Sequence, residues 1–438
     1  MTSLSTELAV GERGVLSVSR GMATAGEMAG AASKGFLVAG AAIAATVAVA
    51  ATAGKVMKEV GEYSVQVGME FETAMSDAAA TASASTEDFA KMEQAAMEMG
   101  KTTSKTASES AKALEYMSLA GWDVDTSISA LPSVLKMSEA SGMDLGRTSD
   151  LVTDSMAALG VSVNELPNYL DVATKAQTKS NQSSEQLMEA YIGVGGTMKN
   201  LNVPIEESAT ALGVLANRGI KGSEAGNALN AVMVNLTTGT GQAGKMMQEL
   251  GISAFDSQGN FIGLEETLKE LNTALQGYSE EEQNAAIAAI GGKQHMDALN
   301  DLMAGLNTTN EEGISEWAAL TNELENCSGS LQTMRDMKLD NLKGDMETLK
   351  SATQDAGIKI YKHLNTPLRD FAQFGTQAVY QVSDALESDG FSGMAGAAGS
   401  AIADGLGMVM ERLPEFLATA TVSVASFLVG FAADLPAS

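Results

Sequence analysis

The sequence predicts an all-α protein: an elongated multi-helix body with a short β-hairpin, a heptad-patterned helix and two apolar helices. Three observations carry that expectation. Six prolines in 438 residues leave long stretches free of the one side chain that clashes with the preceding helical turn. Aromatic residues make up only 5% of the chain, so the large rings that fill a wide globular core are scarce. Small residues instead favour slim helices packed side by side. Finally, capping residues recur just ahead of apolar stripes at helical spacing.

Taken in order, residues 1–34 form a polar, Gly-containing lead and 35–67 hold an Ala-rich apolar run and the start of the body. Residues 68–305 read as a helical core region, 306–370 as a heptad-like helical linker, and 371–438 as a Gly/Ala-rich apolar segment. Ser85-Thr86-Glu87-Asp88 opens a helix whose face carries Phe89, Met92, Ala96 and Met99 and which ends near Gly100. Its acids sit in the first turn, where they favour the positive helix end. A second start lies at Ser104 to Ser108, leads into Leu114, Met117 and Leu119, and stops at Gly121. Pro204 with Glu206 and Glu207 marks another, because proline is harmless in a first turn. Ile205, Ala209, Leu212 and Ala216 follow, with Gly219 as the stop. Ile252 to Phe255, the turn Asp256 to Asn260, and Phe261-Ile262 predict the β-hairpin.

Within the linker, Leu339, Leu342, Met346, Leu349, Thr353, Ala356 and Ile360 alternate spacings of three and four. This is the pattern of a coiled-coil seam flanked by charges, and so narrow a stripe needs a partner helix. Gly35 to Gly54 and Phe416 to Ala433 carry no charge and reach the rough length of 18–20 residues for a membrane span. A buried helix in an oligomer is the plainer reading of each. The dipeptide Leu413-Pro414 recurs as Leu435-Pro436, which reads as a second unit beginning where the sequence given stops, as in a truncated chain.

Composition excludes several functions. The net charge of −28, from 55 acidic and 27 basic residues, repels nucleic-acid phosphates and anionic lipid, and no basic groove is present. Cys327 is the single cysteine, so no intrachain disulfide can form, which fits synthesis in a reducing cytoplasm. It reads as a half-buried side chain in a loop. The two histidines, His295 and His363, have no metal-ligand spacing to each other or to a cysteine. Gly239-Thr240-Gly241-Gln242-Ala243-Gly244 matches the dinucleotide fingerprint by letter, but the strand–turn–helix setting that gives it meaning is missing. Asp256, Gln258 and Asn260 alternate as in a calcium loop, yet Phe261 and Thr267 stand where that loop requires Gly and Glu. Glu280-Glu281-Glu282 reads as a solvated helix start, and the 26 methionines as core filler. The expectation is therefore no catalytic, cofactor-binding or metal site.

One ordered set of segments carries a resemblance. Phe71 to Asp77, Met99 to Ser104, Ala107 to Ala111 and Tyr116 to Trp122 come first. Leu131-Pro132 with Val134-Leu135, Asp144-Leu145 and Ser149 to Asp154 follow. Asn217 to Ser223, Leu250 to Ile252 with Asp256 and Gly259-Asn260, Gly291 to His295, and Met337 to Gly344 complete the order. Together, over roughly 68–370, they resemble the core region of phage tail tape measure proteins, also called minor tail proteins. The resemblance implies a non-enzymatic scaffold in the tail lumen, around which tail-tube subunits polymerise, whose length sets tail length, and which is ejected to aid genome delivery. It also implies tail assembly chaperones and baseplate or tail-tip proteins as partners, a homo-oligomer in the lumen, and host-membrane contact through 35–54 and 416–433. Sequence-specific nucleic-acid binding is not implied. The virion tail would be the location, after the host cytoplasm during assembly. Fully helical, 438 residues would reach at most roughly 650 Å. The reading from another class is a membrane-active, pore-forming helical protein, which the two uncharged runs would serve.

Overall fold

A computed structural model describes the backbone of residues 38–433 and most side chains between 59 and 388. The polar lead 1–34 lies outside the described residues. Among those described, the chain forms sixteen α-helices and no strand. Backbone contacts divide it into two compact units: 73–352, and 1–72 together with 353–438.

The first unit opens on the end of α1 (Val38–Thr81) and continues through α2 (Thr86–Thr102), α3 (Ala107–Leu119), α4 (Val124–Ser141) and α5 (Leu145–Leu159). After a 3-10 turn come α6 (Leu166–Lys179), α7 (Ser184–Asn200), α8 (Ile205–Asn217) and α9 (Gly222–Thr238). Local chemistry fixes these starts. Ser85 accepts a hydrogen bond from the Asp88 amide, and Asp123 does the same for Thr126. Thr106 with Glu109 and Ser183 with Gln186 form reciprocal capping boxes. Each such cap contributes about 1 kcal/mol by satisfying amides the helix itself leaves open. The second expected start, Ser104 to Ser108, contains the observed cap: Thr106 caps α3, and Ser104 bonds instead to Glu139.

A repeat runs through this unit. Helices α3, α5, α7 and α9 begin at 107, 145, 184 and 222, spacings of 38, 39 and 38 residues. Counted from the preceding cap, the residues at places 1, 4, 5, 7, 8 and 11 are buried in all four; in α7 they are Ser184, Leu187, Met188, Ala190, Tyr191 and Val194. Arg147 of α5 reaches Glu185 and Glu189 of α7, while Ala158 lies against Gly195 further along. Gly222 of α9 lies against Glu189, Gly226 against Ala190, and Asn230 against Thr197. Contact positions rise together, so α5, α7 and α9 lie parallel. Parallel neighbours require a returning helix between them, and α6 and α8 supply it. The arrangement is a stack of helical hairpins, each burying a face against the next.

The chain then folds back. Helices α10 (Gly241–Leu250), α11 (Leu264–Leu275), α12 (Glu280–Gly291) and α13 (Met296–Asn307) follow, then α14 (Glu316–Glu325) and α15 (Ser330–Leu339). Helix α13 packs on α8, α14 on α8 and α6, and α15 on α6 and α4. Helix α8 is consequently covered on both sides: Ser208 to Ala216 are all buried. Of these, Leu212, Val214 and Leu215 each contribute roughly 1.5–3 kcal/mol relative to exposure.

In the other unit, α1 pairs with α16 (Leu342–Ala433). Gly357 lies against Tyr63 and Val67, and Gly68 against the Tyr361 ring. Glu72 accepts hydrogen bonds from Tyr361, Asn365 and Arg369. This pair is also parallel. The Lys362 ammonium lies 6.0 Å from the Phe71 ring centroid, within cation–π range.

Several expectations change. The hairpin reduces to a single antiparallel bridge between Phe255 and Phe261. Asp256 takes over the turn by accepting the amides of Gln258 and Asn260, each at 2.8 Å. Gly263, at φ 98°, then starts α11 at once and leaves no residues for a second strand. The heptad seam is not one helix, because the chain breaks at Asp340-Asn341 between α15 and α16. Leu342 is 76% exposed, and Ile360 is the seam residue that is buried. The face that packs on α1 is rotated from the seam and uses Gly357 and Tyr361, because a glycine admits a helix more closely than a leucine stripe does; Ile358 and Leu364 are buried as well. Of Leu114, Met117 and Leu119, the first two are buried and Leu119, the last residue of α3, is exposed. The two uncharged runs have helical backbone at 38–54 and 416–433, but their side chains lie outside the described residues. Among those described, no helix is long and apolar enough to cross a membrane.

Candidate functional site

The decoys of the sequence have structural uses. Gly239 ends α9 in the left-handed region, at φ 62°. A Cβ on Gly244 would stand 2.1 Å from the Gly239 carbonyl carbon. The fingerprint-like glycines therefore make a tight turn between α9 and α10 rather than a phosphate cradle. Asp256, the centre of the calcium-like alternation, is occupied by its own turn, and those hydrogen bonds, that from the Asn260 amide first, hold its carboxyl below the usual range. His295 stands at the start of α13, and His363 is an exposed residue of α16. Glu282 closes a capping box with Ser279 at the start of α12. Among the described residues no group of three His, Cys, Asp or Glu is placed to hold a metal ion. Cys327 is in a turn as expected but is 2% exposed rather than half-buried. Burial, with Asp171 and Glu206 nearby, pushes its thiol up to about 11, so it is a poor nucleophile at neutral pH.

The notable chemistry is a set of carboxylates that hold distant helices by their backbone amides or by arginine. Glu207 of α8 accepts from the amides of Leu264 and Glu265, at 2.7 and 3.0 Å, and thereby caps α11. Asp171 of α6 accepts from the amides of Gly329 and Leu331, both at 2.8 Å, and caps α15. Glu139 of α4, its side chain fully buried, accepts from the Ser104 amide and hydroxyl at 2.7 Å each and from Arg335 of α15. Arg218 bridges to Glu316 at 2.8 Å, and Lys175 and Lys179 both bind Glu323 of α14. The hydrogen bond from Lys175, then that from Lys179, lowers the Glu323 carboxyl. An anion at a helix start is favoured by both the open amides and the macrodipole, and here the anion comes from the chain itself.

A cleft of about 310 Å³ lies between the start of α8, the start of α11 and α14, lined by Glu206, Glu207, Glu265, Glu266, Glu325 and Lys269 among others. Glu207 caps α11 within it, Glu265 pairs with Lys269 at 2.8 Å, and Glu206 accepts from Asn168. These groups are structurally engaged. Sequence reasoning missed the carboxylate clamps because each is defined by a partner 35 to 196 residues away. Only the capping boxes leave a local signal.

Residues 93–292 of this stacked helical body match the model of the family described as phage-related minor tail protein. The chain is 30% identical over 305 residues to the tape measure protein of Pneumococcus phage Dp-1, an alignment covering 70% of this chain and 26% of that one. It is 25% identical over 304 residues to the probable tape measure protein of Escherichia phage P2, covering 69% of this chain and 37% of that one. The chain thus spans about a quarter to somewhat over a third of these relatives. No solved structure matches it. The family span contains the resemblance segments from Met99 to Asn260; Phe71 to Asp77 and Met337 to Gly344 lie outside it.

Proposed function

We propose that this chain is a phage minor tail protein that acts as a tape measure: a structural scaffold in the tail lumen that templates tube assembly and sets tail length. The observation that carries this reading is the alignment of about 70% of the chain with two phage proteins named for that role. The physical character supports it. The carboxylates with resolved partners are spent on holding helices together, and the chain's −28 charge limits self-association until a partner is met. Tail-tube subunits, tail assembly chaperones and baseplate or tail-tip proteins are the partners this role needs. A homo-oligomer is the assembly state it suggests, and ejection with the genome the last step. The role requires no catalytic residue.

The test uses the long helix rather than the folded body. Within 372–388 of α16 most residues are exposed. Inserting eighteen helix-forming residues there, five full turns, should lengthen the tail by about 27 Å, as measured on virions by electron microscopy. Normal virions with unchanged tail length would refute the measuring role of this helix.

A further inference from the structure

We propose that α15 is a releasable strap, closed over α4 and α6 by polar contacts and able to open while the stacked hairpins stay folded. The two returning helices are held in different ways. Helix α14 is anchored by apolar side chains: Trp317 and Leu324 are fully buried, and Leu320 nearly so. In α15 only Leu331 is buried, and Met337 is 74% exposed. What holds α15 is charge and hydrogen bonding. Asp171 caps its first turn, Arg335 binds Glu139, and the Lys338 ammonium donates to the Ser141 carbonyl at 3.1 Å. A helix so attached gives up little apolar burial on leaving.

Both ends of α15 are jointed. Gly329 precedes it at φ 78°, and Asp340-Asn341 separate it from α16. The helix can therefore swing without unwinding its neighbours. Glu139 gives the strap a second effect. The same carboxylate holds Arg335 and the Ser104 amide and hydroxyl, so it ties the strap to the turn between α2 and α3. Losing the arginine leaves a buried carboxylate without its cation, a costly state. Movement of Glu139 toward water relieves that state and frees Ser104. Opening is thus coupled to loosening at the start of the hairpin stack. This inference stands whether or not the chain measures tails.

Hydrogen exchange on the full chain, read by mass spectrometry, tests it. In Arg335→Ala the amides of 330–339 should exchange at least about tenfold faster, with Ser104 following, while those in α7 and α9 keep their rates. Raising salt to about 1 M should shift the wild type far less than Arg335→Ala does, because the Glu139 side chain is buried and weakly screened. Arg335→Lys, which keeps a cation, should restore part of the protection. If Arg335→Ala is too unstable to purify, Lys338→Ala supplies the same readout with a smaller expected change. The proposal is overturned if 330–339 exchange together with α8 and α9 in the wild type and in every variant.

Discussion

Two parallel helix pairs use glycine for close approach, and they differ in what the glycine meets. Between α7 and α9, backbone meets backbone: a Cβ on Gly226 would stand 2.2 Å from the Ala190 carbonyl oxygen and 2.8 Å from its Cα. Between α1 and α16, backbone meets side chain: a Cβ on Gly68 would stand 1.9 Å from Cγ of the Tyr361 ring, and one on Gly357 2.7 Å from a Val67 methyl. The first pair is embedded in a layered body, where α7 packs on α5 and α6 as well as α9. In the second, the outward residues Glu59, Gln66, Met69, Lys359 and His363 are exposed. Clash distance alone therefore does not rank the two positions. What decides the cost is whether the obstructing atoms, and the helix that carries them, have somewhere to go.

The largest effect should come from Gly226→Ala. Neither peptide can yield without moving a helix that other layers hold, so the cost should reach the upper end of overpacking, about 3 kcal/mol. Denaturant unfolding followed by circular dichroism would measure it. A loss below about 1 kcal/mol would show that the hairpin stack is more compliant than its packing suggests. Gly68→Ala should cost about 1–2 kcal/mol, since α1 and α16 can separate toward solvent. Its signature is local: proteolysis within 355–370 should speed up while the unfolding midpoint of 73–352 stays in place. Equal global destabilisation by both substitutions would erase the distinction.

The contrast also explains what the sequence disclosed. Ser85, Pro204 and Gly219 could be read as helix boundaries because caps and stops act within a few residues. The Leu339-to-Ile360 seam misled for the opposite reason. Its period was real, but the face that became buried was chosen by Gly357 and by Gly68 on a helix nearly three hundred residues earlier in the chain. The 38–39-residue repeat was hidden in another way. Its fourth place from the cap is filled by Ser110, Thr148, Leu187 and Ala225, which share burial but not chemistry. Small and hydroxylated residues can occupy such a place because serine and threonine return their hydroxyls to the preceding turn, as Ser110 does to the Thr106 carbonyl and Thr148 to that of Asp144. Self-similarity thus survives in geometry and not in hydropathy. Cys327 and Glu139 were illegible for want of their distant partners.

The smallest effect makes the sharpest comparison, because it sets two neighbouring glycines of α7 against each other. A Cβ on Gly195 would stand 2.8 Å from the backbone carbonyl carbon of Ala158 in α5, whereas one on Gly196 would meet nothing within 4 Å. Both lie inside the helix and neither has a positive φ. At Gly196, alanine therefore restricts the unfolded chain without obstructing the folded one, and should stabilise by about 0.5–1 kcal/mol. At Gly195 the same entropic gain is available, but the approach of α5 opposes it, so the net change should be a loss. Opposite signs at adjacent positions would separate packing from helix propensity, since propensity alone predicts a gain at both. A gain at Gly195 would mean that α5 and α7 can move apart freely, and the parallel stack would then be held by its carboxylate clamps more than by its glycine seams.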